Sequence, residues 1–270
     1  MTRVGAAAYL GVRHDPSVAL AAFGVMVAGM IATPLFETAG DERRVLASVV
    51  VVALFVTALS AAVHDHGRRA IVAAALIVAF TFAVEIIGSK TGFPFGEYDY
   101  TGVLTPQLFG VPVIVSFAWA GITLTAHGAL RDVKTGRIAL MACAITAWDA
   151  FLDPQMVAEG YWQWESASPA YRGIPLVNYL GWLLTASITS AIALVVCGSA
   201  RRDARGKPSN VSPNDASPSN LPRVTYATLA VLSTIGFAVF FDDVVVALVG
   251  GVAMGTFVWL SFARRSGQAA

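Results

Sequence analysis

Eight stretches of this chain stay apolar for close to the 20 residues that a helix needs to cross a bilayer. They cover 18–36, 45–63, 70–88, 111–130, 137–154, 175–199, 224–241 and 244–262. Lipid offers no water to a bare N–H or C=O, so such runs must close their hydrogen bonds internally, and runs of this length do so as helices. Composition agrees: only 13% of residues are charged, against roughly 25% in soluble domains. The expected fold is an all-α, polytopic transmembrane bundle of about eight spans, or seven if one of the weaker runs stays out of the membrane.

Alternating the spans puts fourteen of the 18 lysines and arginines on the side of the N-terminus. Only Arg43, Arg44, Lys90 and Arg172 face the other way. The positive-inside rule then places both termini in the cytoplasm. Arg3 and Arg13 precede the first run, and no clear cleavage site follows it, so a retained span is expected rather than a signal peptide. Residues 201–222 are rich in Pro, Ser, Asn and charge. They read as a disordered cytoplasmic linker between a six-span catalytic body (1–200) and a two-span hairpin (223–270). Gly251 and Gly255 have the spacing that suits close packing of membrane helices. Cys143 and Cys197 lie inside apolar runs and read as buried small residues rather than a disulfide.

Several classes are excluded. Basic clusters interleaved with aromatics are missing, so nucleic acid is not an expected partner. The three lysines (Lys90, Lys134, Lys207) are assigned to loops, which removes a Schiff-base retinal protein. Neither a phosphate-cradling glycine loop nor a paired acidic run for a metal-held diphosphate is present, which argues against a prenyltransferase. His64-Asp65-His66 reads as a solvated turn, and His127 as structural. Neither metal nor cofactor is called for.

Three acids do fall inside spans: Glu85, Asp149 and Asp153. One Asp at mid-membrane costs about 2.5–3.5 kcal/mol, and apolar neighbours return only about 0.3–0.6 each. The acids must therefore face protein or a wet pocket. Glu85 lies 14 residues beyond Ile71, and Asp149 and Asp153 lie 11 and 15 beyond Ile138. At 1.5 Å per residue all three reach similar depth in the outer half, about 17–23 Å along their helices. Asp149 and Asp153 also share a helix face. Crowded acids in an apolar setting do not all ionise, so at least one is expected to keep its proton.

The loops at 89–110 and 155–174, both assigned to the outer face, are dense in aromatics, acids, Gly and Pro. A protonated carboxyl near electron-rich rings suits proton delivery to a carbon–carbon double bond. Asp149 is the expected donor, with Asp153 or Glu85 tuning or reprotonating it. Trp148, Tyr98, Trp162 and Trp164 would stabilise a cation through their ring faces.

In order along the chain come Gly92-Phe93-Pro94-Phe95-Gly96-Glu97-Tyr98, Gly110-Val111-Pro112, Trp148-Asp149 through Asp153-Pro154, Tyr161-Trp162, and Gly173-Ile174-Pro175-Leu176 with Asn178 and Gly181-Trp182. This ordered set resembles the integral-membrane carotenoid biosynthesis family that includes bisanhydrobacterioruberin hydratase and gamma-carotene-type 1′-hydratases. The resemblance covers roughly residues 70–200. It implies addition of water to the terminal double bond of an acyclic carotenoid end, giving a tertiary alcohol without a redox cofactor, and in that reaction Glu97, Glu165 and Asn178 would hold the attacking water. A long polyene arriving from membrane lipid is the implied substrate, and other enzymes of the same pathway are implied partners. The rival readings are a lycopene-type cyclase, which begins with the same protonation, a proton-coupled transporter, and a structural subunit of a pigment complex. The gathering of the acids at one depth, without a path across the bilayer, speaks against transport.

Overall fold

The structure, a computed structural model, describes residues 16–165, 169–198 and 219–266. Within them the chain folds into eight helices: α1 (Pro16–Ala32), α2 (Asp41–His66), α3 (Arg68–Thr91), α4 (Val113–Ala129), α5 (Arg137–Ala158), α6 (Leu176–Cys197), α7 (Leu221–Val239) and α8 (Val244–Ser266). The expected linker lies outside the described residues as far as 218, as do Arg3 and Arg13.

Six helices, α1 to α3 and α6 to α8, are long and apolar enough to cross a membrane. The protein is a multi-pass membrane protein. α4 is apolar but has only 17 residues, and α5 carries Asp149, Asp153 and Pro154. α4 is buried on every side from Ala118 to Ala129. It packs on α2, α3, α5, α6 and α7 and forms the axis of the bundle.

Helix ends differ from the sequence reading in informative ways. α3 continues to Thr91 and takes Lys90 into its last turn. α5 runs past Pro154 to Ala158. Proline at 154 cannot donate to the carbonyl of Ala150, four residues back. The hydroxyl of Tyr171 donates to that carbonyl instead, at 3.4 Å, so the freed acceptor is satisfied and the helix proceeds.

The segments after α3 and α5 contain four short strands: β1 (Tyr98–Tyr100), β2 (Gln107–Leu108), β3 (Val111–Pro112) and β4 (Trp162–Trp164). β2 pairs with β3, and β1 pairs antiparallel with β4, which joins the two loops to each other. Tyr98 stands opposite Trp164 and Tyr100 opposite Trp162.

The hairpin of α7 and α8 packs on α4 and α5. Tyr226 donates to the carbonyl of Ala144 at 2.7 Å, and Phe151 stacks on Phe237 at 5.6 Å. The close approach of α8 occurs at Gly250, where a Cβ would stand 2.6 Å from the Phe151 ring. The expected Gly251/Gly255 pair does less: Gly251 meets only Thr234 on α7, and Gly255 has open space. Both cysteines are free thiols, and Cys143 is exposed rather than buried, because it lies on the outer surface of α5.

Arg43, read from sequence only as a loop cation, is instead buried in the first turn of α2. It pairs with Glu159 at 2.6 Å, donates to the carbonyl of Phe36 at 2.8 Å, and lies over the Phe241 ring at 5.2 Å. Glu159 also accepts from the Ala39 N–H at 2.7 Å. This knot ties the α1–α2 turn, the end of α5 and the α7–α8 turn together.

Candidate active site

Side chains alternate between the two faces of a strand, so the paired β1 and β4 sort their residues by position. Asp99 and Gln163 face out, while Tyr98, Tyr100, Trp162 and Trp164 turn inward and cover the bundle. Their rings interlock, with Tyr98 5.0 Å from Trp164 and Tyr100 5.8 Å from Trp162. Below this cover α4 and α6 supply Trp119 and Trp182, stacked at 4.1 Å.

Glu85 of α3 is buried under the cover and meets three donors. Oε2 accepts from the Tyr98 hydroxyl at 2.7 Å and the Tyr100 hydroxyl at 2.8 Å, and Oε1 accepts from Trp119 Nε1 at 2.9 Å. A shell made only of donors matches a carboxylate, which only accepts. The Tyr98 phenol is pushed well above its ordinary range, first by burial and then by the Glu85 charge, so it remains a donor at any physiological pH.

Asp149 and Asp153, one turn apart on α5, are both buried and converge on Asn178 of α6. The Asn178 amide donates one hydrogen to Asp149 Oδ2 at 2.9 Å and the other to Asp153 Oδ2. Asp149 Oδ1 has no partner among the described residues. The neighbouring α6 residue Gly181 lets this helix approach the 92–97 loop. A Cβ there would lie 2.6 Å from the Pro94 carbonyl oxygen and 2.7 Å from the Phe95 ring.

Two cavities adjoin at this level. The smaller is lined by Glu85, Asp153, Asn178 and the aromatic cover, with Trp119 and Trp182 as its floor. The larger is mostly apolar and runs between α1, α2, α5 and α7. Its wall on α7 extends from Leu229 to Phe237, about 12 Å of helix. Val115, Ala118, Leu152 and Trp162 line both.

Of the residues singled out in the sequence, the structure brings together Glu85, Asp153, Asn178, Tyr98, Trp162 and Trp164 around the small cavity. Asp149 sits one turn behind Asp153 against Asn178, and Trp148 lines the large cavity. Glu97 and Glu165 stand on the exposed surface, where the Glu165 N–H donates to the Glu97 carbonyl at 2.9 Å. Sequence reasoning missed Trp119 and Tyr100. A tryptophan in the middle of an apolar run, far from the interfacial belt, is the signal that Trp119 offers. Tyr100 shares the period of two with Tyr98. Among the described residues no three His, Cys, Asp or Glu side chains come together in a geometry that would hold a metal ion.

Fold and site together define a multi-pass membrane protein with an acid and aromatic pocket set against an apolar cavity. The chain belongs to the carotenoid biosynthesis protein family, whose model matches residues 43–257. It is similar to bisanhydrobacterioruberin hydratase of Haloarcula japonica, with 33% identity over 129 residues, 45% of this chain and 43% of that protein. The match spans less than half the length of that relative. No solved structure matches the chain.

Proposed function

We propose that this protein is a carotenoid hydratase that adds water to the terminal carbon–carbon double bond of an acyclic carotenoid end, with both of its termini in the cytoplasm. The observation that carries the reading is the Asp149–Asp153–Asn178 cluster, whose Asp153 and Asn178 line the small pocket that shares Leu152 and Trp162 with the apolar cavity. The polyene lies in the large cavity and its end passes Leu152 and Trp162 to reach the acids. The Asp149–Asp153 pair is the proton source, and Asp153 is the member that lines the pocket.

The proton goes to the less substituted carbon of the alkene, and the positive charge falls on the tertiary carbon. Indole and phenol faces of Trp119, Trp182, Tyr98 and Trp164 attract that charge, and the Glu85 carboxylate stabilises it at longer range. A water oxygen then bonds to the tertiary carbon and gives up one proton, which restores the acid pair. The net change is the addition of one water, with no change in oxidation state overall. Asn178 holds both carboxyls through one amide and keeps them adjacent during these transfers.

The test is expression in a cell that accumulates an acyclic carotenoid, in medium containing heavy-oxygen water. A product heavier by one water, with the label in its hydroxyl, is expected. A mass-neutral cyclised product, or oxygen drawn from dioxygen, overturns the reading.

A further inference from the structure

The hydratase reading requires one water per turnover, and it leaves the buried Thr123, His127, Thr185 and Thr189 unused. On α4, Trp119, Thr123 and His127 fall at successive spacings of four, and on α6, Asn178, Trp182, Thr185 and Thr189 fall at spacings of four, three and four. Each set occupies one helix face. The two faces meet: Trp119 stacks on Trp182, and Thr123 Oγ1 donates to Thr189 Oγ1 at 3.1 Å. The seam starts under the acid pocket and ends at His127, whose ring lies 5.1 Å from His66 at the close of α2 and whose carbonyl accepts from Arg137 at 2.6 Å. It therefore joins the pocket to the end of the bundle that carries the arginines.

Thr189 Oγ1 also donates to the Ala186 carbonyl at 3.2 Å, but two groups of the seam lack protein partners. Other buried threonines donate to the carbonyl four residues back, as Thr57 does to Ala53 at 2.7 Å and Thr81 to Ile77 at 2.9 Å, while Thr125 and Thr225, off the seam, have no partner among the described residues. Thr185 Oγ1 and His127 Nε2 are buried and have no partner among the described residues. An orphaned hydroxyl inside a membrane protein loses roughly 1–3 kcal/mol unless water satisfies it. Thr185 lies between the pocket and the Thr123–Thr189 bond, and His127 lies beyond it. These two orphans are spaced along the seam.

We propose that the α4–α6 seam carries a file of water molecules from the arginine-bearing end to the floor of the acid pocket, and that this file supplies the water consumed in hydration. The Trp119–Trp182 stack separates the file from the reacting end. Delivery past a stacked pair limits the cation to one nucleophile, while the apolar cavity on the other side stays dry. The second clause of this proposal rests on the hydratase reading. The first does not.

Hydroxyl-radical footprinting in the membrane tests the file without reference to activity, because radicals formed from bound water oxidise the side chains beside it. Thr189→Cys is made in a background with Cys143→Ala and Cys197→Ala, and Ile122→Cys, equally buried on another face of α4, is the dry control. Rapid oxidation of the Thr189→Cys thiol with an inert Ile122→Cys thiol is expected. Equal inertness of the two overturns the file. Thr185→Val/Thr189→Val should then lower kcat about tenfold with KM and product unchanged; full turnover in this variant overturns the supply role. A chain that labels at position 189 but hydrates no carotenoid upholds the file and refutes the hydratase reading alone.

Discussion

The side-chain amide of Asn178 lies 2.9 Å from the Asp149 carboxylate, and its second hydrogen reaches Asp153. A single amide thus organises two acids that would otherwise repel. Asn178→Leu keeps the volume but removes both donors. Loss of a hydrogen bond to a buried carboxyl costs about 1–3 kcal/mol, and the two acids are then free to separate. Hydration should fall at least about 100-fold while the folded protein still extracts as a single species. Activity close to that of the parent, measured by pigment chromatography, removes Asn178 from the mechanism.

The acids themselves divide by position. Asp153 lines the pocket and Asp149 stands behind it. Asp149→Asn and Asp153→Asn should both fold, since an amide fills the same space, and both should abolish the hydroxylated product. Normal product from a well-folded Asp149→Asn variant would confine the chemistry to Asp153.

Glu85 provides a separate test of the cover. Tyr98→Phe removes one of three donors on the carboxylate and leaves the ring in place. Melting temperature should drop by an amount matching about 1–3 kcal/mol, and turnover should fall while polyene binding persists. A melting temperature equal to the parent's would mean that the Tyr98 hydroxyl is not an essential donor to Glu85.

The limits of the sequence are visible in particular residues. The convergence of Glu85, Asp149 and Asp153 was legible because helix rise converts spacing into height, and apolar run lengths revealed the helices. Trp119 offered only its position in the middle of an apolar run, because its role comes from α4 being the bundle axis, which hydropathy cannot distinguish from a lipid-facing span. Tyr100 and Trp164 owe their inward aim to β1–β4 pairing between loops some 60 residues apart, and three-residue strands leave no periodic trace. Glu97 and Glu165 looked suitable by composition, yet strand alternation and loop direction leave them on the surface. Helix α5 passed through Pro154 only because a tyrosine from a later loop supplied the missing donor.

Gly181 is where the site depends on a close backbone approach. Gly181→Ala places a methyl 2.6 Å from the Pro94 carbonyl oxygen, and backbone cannot rotate away as a side chain could. The 92–97 loop must shift, with a destabilisation of about 1–3 kcal/mol. Asn178 lies three residues earlier on the same helix, so hydration should fall more than stability predicts. A variant with parental kinetics and melting temperature would show that the loop has slack at this point.

The Arg43–Glu159 pair closes one end of the large cavity, since Phe241 beneath Arg43 is part of the cavity wall. Both side chains are nearly inaccessible, at 6% and 3% exposure, so removing one partner strands the other charge. Glu159→Gln or Arg43→Met alone should each cost about 3–5 kcal/mol. The double variant Arg43→Met/Glu159→Leu leaves neither charge uncompensated and should recover most of that loss, although the Phe36 and Ala39 backbone contacts go with it. Thermal unfolding of the three variants forms a double-mutant cycle. A sum of single effects equal to the double effect would show that the two groups act independently and that the knot is not what holds the three turns together.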